Sequence, residues 1–513
     1  MRPISPVLAF QILALAASLL SCATNVETAS VSYPARPVNE LLIRDVDVLE
    51  VERGVVETSL DVVVRRGRIA AIEKGGTIPS DGLLVIDGSG ATLLPGLIDM
   101  HGHVSLSRSP FWELEGADPL ANMQSYLYAG VTTVFDPADV DTKAAVARRE
   151  AVRRGELVGP AILTTGQMVT CPGGHPVAVR ELFAPWWISW LLTSGIAHEV
   201  QTRSEARSAI DDLHSAGVDA IKVAVDRIPP RAPRISLETM AAIDERTNEL
   251  GLRWVSHIGS LQDALDAGEA GTDLWVHGVS REPLSDADVQ RLAAFEIPMV
   301  VTIEVMHRVV SVVSRPIDPI PMEIETVPRA VIESFYPPPA EFVDALREFR
   351  SIGGPREGDL DVLGIGQRNM MKLHRAGVTI LAGTDPQGAG VFPGAALHRE
   401  LAHFVDAGMT PAEAIRSATL DSARWIADGA PIDFGAVRVG LQADLLLVRG
   451  DPTDDIRRLQ DIVEVIVDGT PVRREPVHQT SRGKRGRIGP WGRDSCRSVP
   501  PCAALCRPDG VTH

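Results

Sequence analysis

Six side chains able to hold or bridge a cation fall at the ends of apolar segments spread along the chain: His101 and His103, then Lys222, His257, His277 and Asp385. Imidazole nitrogens and carboxylate oxygens are the ligands that zinc and related divalent metals take. Two histidines one residue apart in extended chain face the same way, so His101 and His103 can reach one ion. An H-x-H pair alone is a weak signal, and an isolated histidine closing an apolar strand is more often a packing or hydrogen-bonding residue. His257, in Trp254-Val255-Ser256-His257, and His277, in Leu274-Trp275-Val276-His277-Gly278, hold that position in consecutive segments, which is harder to dismiss. Asp385 ends Ile380-Leu381-Ala382-Gly383-Thr384-Asp385 and would face the same rim. Lys222, in Ala220-Ile221-Lys222-Val223, is the odd member. An ammonium pointing at divalent cations from an apolar strand is repelled and desolvated, so this amine must be neutral or modified.

For such residues to meet, their segments must lie side by side with their ends at one rim. Strand-like runs are predicted over 92–99, 131–136, 161–165, 219–225, 253–258, 273–277, 298–305 and 378–384. Most are separated by helical periodicity, as at 236–250, where Ser236 can cap the start and Gly251 the end, or at 285–295. Strand and helix alternating eight times is the pattern of an α/β protein with a (β/α)8 TIM barrel, here over 93–431. Short alternating strands flank it at 39–92, with a turn at Arg66-Gly67, and at 432–474, with a turn at Asp468-Gly469. Neither set is long enough for a core of its own, so a small β-sandwich built from both termini is expected.

Two insertions interrupt the alternation. One follows strand three and contains Cys171-Pro172-Gly173-Gly174-His175, then Trp186, Trp187 and Trp190; the other is Pro-rich and covers 315–355 after strand seven. Long loops at that end of a barrel line the active site. His175 is therefore a candidate for hydrogen-bonding a substrate carbonyl or carboxylate, and Arg281, shortly after His277, for pairing a substrate carboxylate. Trp112 and the other loop tryptophans either cover the mouth or meet substrate. His398 and His403 read as packing or surface residues.

The 513 residues, 45% hydrophobic and 23% charged, suffice for a large core. The formal net charge of −17 excludes a nucleic-acid partner, which needs a basic surface. Arg2, the apolar run 7–20 and Leu19-Leu20-Ser21-Cys22 read as an export signal over 1–22 that resembles a bacterial lipobox, which implies cleavage before Cys22 and its acylation. An ordinary secretory signal or an uncleaved membrane anchor is the alternative. Residues 23–38 have the composition of a tether, and the expected location is the periplasmic side of the cell envelope, anchored to membrane through Cys22. From 475 onward, a stretch rich in Arg, Gly, Pro and Ser, with Cys496, Cys502 and Cys506, reads as a disordered tail.

Together the ligands, Leu94-Pro95-Gly96-Leu97-Ile98-Asp99-Met100-His101-Gly102-His103, Ala382-Gly383-Thr384-Asp385, Leu397-His398-Arg399-Glu400-Leu401 and Ala443-Asp444-Leu445-Leu446-Leu447 resemble the amidohydrolase superfamily over about 41–472. Within it the chain is most similar to the imidazolonepropionase-like group, which includes Xaa-Pro and Xaa-Arg dipeptidases. The resemblance implies two divalent ions, zinc first, with manganese, iron or cobalt as alternatives. His101, His103 and Asp385 would hold the more buried ion and His257 and His277 the more exposed one. Lys222, carboxylated on its amine, would bridge them together with a hydroxide that attacks the carbonyl. Asp385 would shuttle the proton to the leaving nitrogen, with His257 beside it as a catalytic residue. The implied substrate is a small molecule with a C–N bond, a cyclic amide or a dipeptide; a lactone, or a barrel kept without turnover, is the alternative. A homo-oligomer is compatible with all of these.

Overall fold

Each parallel strand is short and almost wholly apolar, so it can only lie in a layer covered on both faces. The computed structural model describes residues 28–34, 38, 40–113, 115–183, 193–312, 314–344 and 362–477. It is a mixed α/β protein with eight central parallel strands: β1 (Leu97–Asp99), β2 (Val131–Asp136), β3 (Ala161–Thr164), β4 (Ile221–Ala224), β5 (Trp254–His257), β6 (Leu274–Val276), β7 (Met299–Val301) and β8 (Ile380–Ala382). β1, β2 and β3 form one parallel sheet; β4 to β8 form the other, extended past β4 by Met168–Thr170 and Ala197–Glu199. Hydrogen bonds also join the free edges, from Met100 N just after β1 to Ala382 O of β8, and from Asp219 N before β4 to Thr164 O of β3. Ile98, Phe135, Val255, Leu274, Val276, Val300 and Leu381, contributed by six of the strands, pack into one buried cluster.

The intervening helices carry the caps that their sequences announce. Ser236 accepts from Thr239 N at the start of Leu237–Leu250, and Gly251 ends that helix in the left-handed conformation; Ser285 caps Asp286–Ala293 in the same way. Together with the apolar faces they present inward, these caps fix where each helix begins and so the length of each rim loop.

Both ends of the chain supply an eight-stranded mixed sheet. In it Leu445–Arg449 pairs with Ala91–Pro95, which runs parallel to Glu40–Glu50. The turns fall at Arg66-Gly67 and Asp468-Gly469. Leu41, Ile43, Val62, Val64, Leu93, Leu445, Leu447 and Ile466 form a core separate from that of the parallel strands.

Four sequence expectations are corrected. The run 92–99 is two strands, because at Gly96 the chain changes partners: Gly96 N donates to Asp444 O in the mixed sheet, and Leu97 N to Gly130 O on the parallel side. The run 298–305 ends as a strand at Val301, and Ile303–Ser311 is a helix whose first amides, Ile303 N and Glu304 N, donate to the buried Glu400 carboxylate at 2.8 Å each. The tether at 23–38 contains a strand, Ser30–Ser32, antiparallel to Arg473–Glu475 and held by the buried Ala29 and Val31. The same pairing moves the start of the tail beyond 475, and Val477 is still buried. Cys22, the tryptophans at 186, 187 and 190, and the tail cysteines lie outside the described residues.

The Pro-rich insertion carries two short helices, Pro321–Thr326 and Arg329–Ser334. Trp112 packs against Phe335 and Phe342 from that insertion, with ring centroids 6.1 and 4.5 Å apart, so it braces the rim rather than facing outward. Among the described residues no helix is long and apolar enough to cross a membrane.

Candidate metal centre

The ends of β1, β5, β6 and β8, with Lys222 from within β4, bring together all six residues singled out from the sequence. The His101 and His277 rings lie 4.6 Å apart between centroids, His257 and His277 4.2 Å, and His101 and His103 5.1 Å. Asp385 Oδ1 sits 3.0 Å from His103 Nε2 and 3.6 Å from His101 Nε2. Ligand atoms of His101, His103 and Asp385 all lie within 4.8 Å of one another, close enough to share one ion. His175 joins the group: its ring is 4.6 Å from that of His257. Both His277, at φ 69°, and Asp385, at φ 52°, occupy the left-handed region that L residues enter at a cost, as happens at sites where side-chain aim outweighs backbone comfort.

Buried carboxylates and hydroxyls aim these rings. Asp136, which ends β2, accepts from His103 Nδ1 at 3.3 Å, and Thr302 bonds His277 Nδ1 at 2.7 Å. Each bond occupies one ring nitrogen and leaves Nε2 to face inward, the arrangement that orients imidazole ligands. Asp99 Oδ1 accepts from the backbone N–H groups of His101 and Thr384, and Asp99 Oδ2 from the Thr384 hydroxyl at 2.6 Å. Gly383 has no side chain because a Cβ there would stand 2.8 Å from His101 Cβ and 2.5 Å from Val300.

The electrostatics match a set of neutral donors around one anion. Burial, reinforced by neighbouring cationic groups, pushes the proton affinity of His101 and His257 well below the ordinary imidazole value. Burial also lowers His277 to about 3, only partly opposed by Asp385, and His175 to about 4. For His103 burial works downward, but Asp136 and Asp385 outweigh it and raise it to about 9, so a cation binding there displaces a proton. Burial alone would raise Asp385, yet His103 and the surrounding positive groups hold it below the usual range, an anion at neutral pH. Lys222 is fully buried, its Nζ has no hydrogen-bond partner, and desolvation lowers it to about 7.

These residues fit metal. A buried amine with nothing to bond, beside four imidazoles of which three are held neutral, is a costly arrangement unless something binds among them. Other candidates fall elsewhere. Arg281 donates to Asp226 Oδ2 at 2.7 Å and to Arg227 O. His398 bonds Ala129 O at 2.9 Å, and His403 bonds Glu304 at 2.7 Å, consistent with packing roles.

The Amidohydrolase family matches residues 92–472 of the chain. The chain belongs to the amidohydrolase family. The match contains all six clustered residues. Over 125 residues the chain is 34% identical to an ochratoxinase of Aspergillus niger, 24% of this chain and 22% of that protein's length. The chain thus spans about a fifth of that curated relative in sequence. Among solved structures it resembles a Xaa-Pro dipeptidase with bound methionine in the active site, with a TM-score of 0.66 and 22% identity over 84% of this chain and 99% of that one. It also resembles the A. niger ochratoxinase structure, with a TM-score of 0.62 and 19% identity over 85% and 96%. These likenesses describe the fold.

The four buried groups Asp99, Asp136, Asp226 and Thr302 were not singled out by sequence. Asp136 carries the same signal as Asp385, a carboxylate closing an apolar strand. Asp99 closes β1 in the same way, and nothing local marks Asp226 or Thr302.

Proposed function

We propose that this amidohydrolase is a two-metal enzyme that cleaves the amide C–N bond of a small dipeptide-like substrate. The observation that carries the reading is Lys222: fully buried, unpartnered, and within β4, the strand beside the one that ends at His257. A neutral amine there can add carbon dioxide, and the resulting carbamate would supply the anionic oxygens needed between two cations. His101, His103 and Asp385 would hold one ion, and His257 and His277 the other. Two divalent ions, zinc first on so imidazole-rich a set, supply an acidified water and a Lewis acid for the carbonyl.

The chain's own groups do the rest. Asp385, an anion held between His101 and His103, takes the proton of the attacking water and passes it to the leaving nitrogen. Its Oδ2 accepts from Gln387 at 3.1 Å, which keeps the carboxylate from turning away. His175, its ring tilted against that of His257 and its Nδ1 unpartnered, is placed to donate to the substrate carbonyl. The eight parallel strands are read as a closed (β/α)8 barrel beside a β-sandwich, supported by the two edge-joining hydrogen bonds and the shared interior cluster. A dipeptide is placed ahead of a cyclic amide because a Xaa-Pro dipeptidase is among the structures whose fold the chain shares.

A screen of the zinc-loaded or manganese-loaded enzyme against dipeptides, N-acyl amino acids, lactams and lactones tests this. Cleavage confined to lactones would overturn the amide reading. Export and acylation at Cys22 complete the proposal. Cys22→Ala should shift the protein from the membrane to the soluble fraction, and an unchanged membrane fraction would rule the lipid anchor out.

A further inference from the structure

Two buried polar atoms without hydrogen-bond partners lie beside the proposed centre, one on a residue of its ligand set and one on a residue outside it. One is His257 Nε2; the other is Asp226 Oδ1. Asp226 follows β4 and is only 3% exposed; its Oδ2 lies 3.9 Å from His257 Nε2, and its backbone N–H donates to His257 O at 3.1 Å. Buried groups left unsatisfied on both sides of a short gap point to a contact that forms once one of them turns.

The pair is built, not incidental. Arg281, after β6, donates to Asp226 Oδ2 at 2.7 Å and to Arg227 O at 3.0 Å, so the guanidinium reaches over β5 and clamps the carboxylate above His257. The residue beneath is Gly259, where a Cβ would stand 2.4 Å from Asp226 Oδ2 and 3.1 Å from Arg281 Nε. Only glycine lets the three meet. His175 packs on His257 at 4.6 Å.

We infer that Asp226, clamped by Arg281, is a positioning residue for His257: it takes the Nε2–H, fixes the tautomer, and leaves Nδ1 to serve as the ligand atom. His103 already has this arrangement with Asp136, and His277 has it with Thr302. Three of the four ligand imidazoles then have an outer partner, the feature that raises ligand strength and fixes ring direction, while His101 Nδ1 has none. This assigns Arg281 to the protein's own carboxylate instead of a substrate's. The inference rests on the two-metal reading above and concerns the ion held by His257 and His277.

The test is zinc titration of the full chain against a chromophoric chelator. Wild type should bind two equivalents. Asp226→Ala should weaken the weaker equivalent about 10- to 100-fold and leave the tighter one unchanged. In a His257→Ala background the same substitution should add no further loss, because the two residues act as a unit. Asp226→Asn, of the same shape, serves if the alanine variant fails to fold and should give a loss in the same equivalent.

Wild-type affinity for both equivalents in Asp226→Asn and Asp226→Ala overturns the inference. So does an Arg281→Gln variant that binds zinc as wild type does but has a raised KM only for substrates with a free carboxylate, since Arg281 would then belong to substrate. A wild-type chain taking up fewer than two equivalents overturns the two-metal reading itself, and this inference with it.

Discussion

The Asp99 carboxylate and Thr384 are joined by two hydrogen bonds across the rim, from the Thr384 backbone N–H at 3.1 Å and its hydroxyl at 2.6 Å. Because Asp99 also accepts from His101 N, the segment bearing His101 and His103 is tied to the one bearing Asp385. Burial raises Asp99 to about 6, against the pull of those same donors, which shows what it costs to keep this carboxylate inside. Asp99→Ala strands the His101 N–H and the Thr384 hydroxyl, leaves the Thr384 N–H only its bond to His101 O at 3.3 Å, and should lower stability by at least about 2 kcal/mol, with a parallel loss of bound metal. Thermal unfolding and metal analysis check this; a stable variant with full metal content would mean that the tie does not position the ligands.

Lys222→Ala should lose metal, and small carboxylic acids should partly restore activity by standing in for the carbamate. Full activity in the untreated variant would remove the carbamate from the mechanism. In wild type, burial sets the amine near 7. The neutral form that adds carbon dioxide therefore grows as pH rises, and reactivation of metal-stripped protein at a fixed concentration of dissolved carbon dioxide should be roughly tenfold faster at pH 8 than at pH 6.

His175→Ala should lower kcat/KM by on the order of 10²-fold while leaving metal content unchanged, as expected of a donor to a developing oxyanion. A fall in metal content instead would make His175 a ligand.

Glu304 offers a pH test away from the metal centre. Burial raises its proton affinity, but the His403 hydrogen bond and the Arg308 and Arg399 charges outweigh this and hold it near 2, below the ordinary 4.5. A depressed folded-state pKa stabilises above the unfolded value and is lost as pH falls toward the folded one. Glu304→Gln should cost about 3–5 kcal/mol near neutral pH, and the gap from wild type should narrow as pH falls from about 4.5 toward 2. A gap that stays constant with pH would show that the charge does not matter.

The clustered residues were legible because parallel strands lying side by side bring their ends to one rim, so position along each apolar run fixed which side chains could meet. The cap of Leu237–Leu250 and the two hairpin turns were legible because they are local, set by Ser236, Gly251, Gly67 and Gly469. What escaped was relational. The helix at Ile303 depends on Glu400, nearly a hundred residues later, accepting its first amides, and without that cap Val301 to Val305 reads as strand. Gly96 switches sheets because Asp444 and Gly130 stand on opposite sides of it. Arg281 reads as a substrate arginine until Asp226 is seen under it.

The central claim is a centre that holds two metal ions and hydrolyses amides, and metal analysis of the full chain purified without chelator addresses it most directly. Two equivalents of divalent metal per chain, lost in Lys222→Ala together with dipeptide hydrolysis, is the expected result. Fewer than one equivalent in wild type, with no cleavage across a dipeptide library, would contradict it.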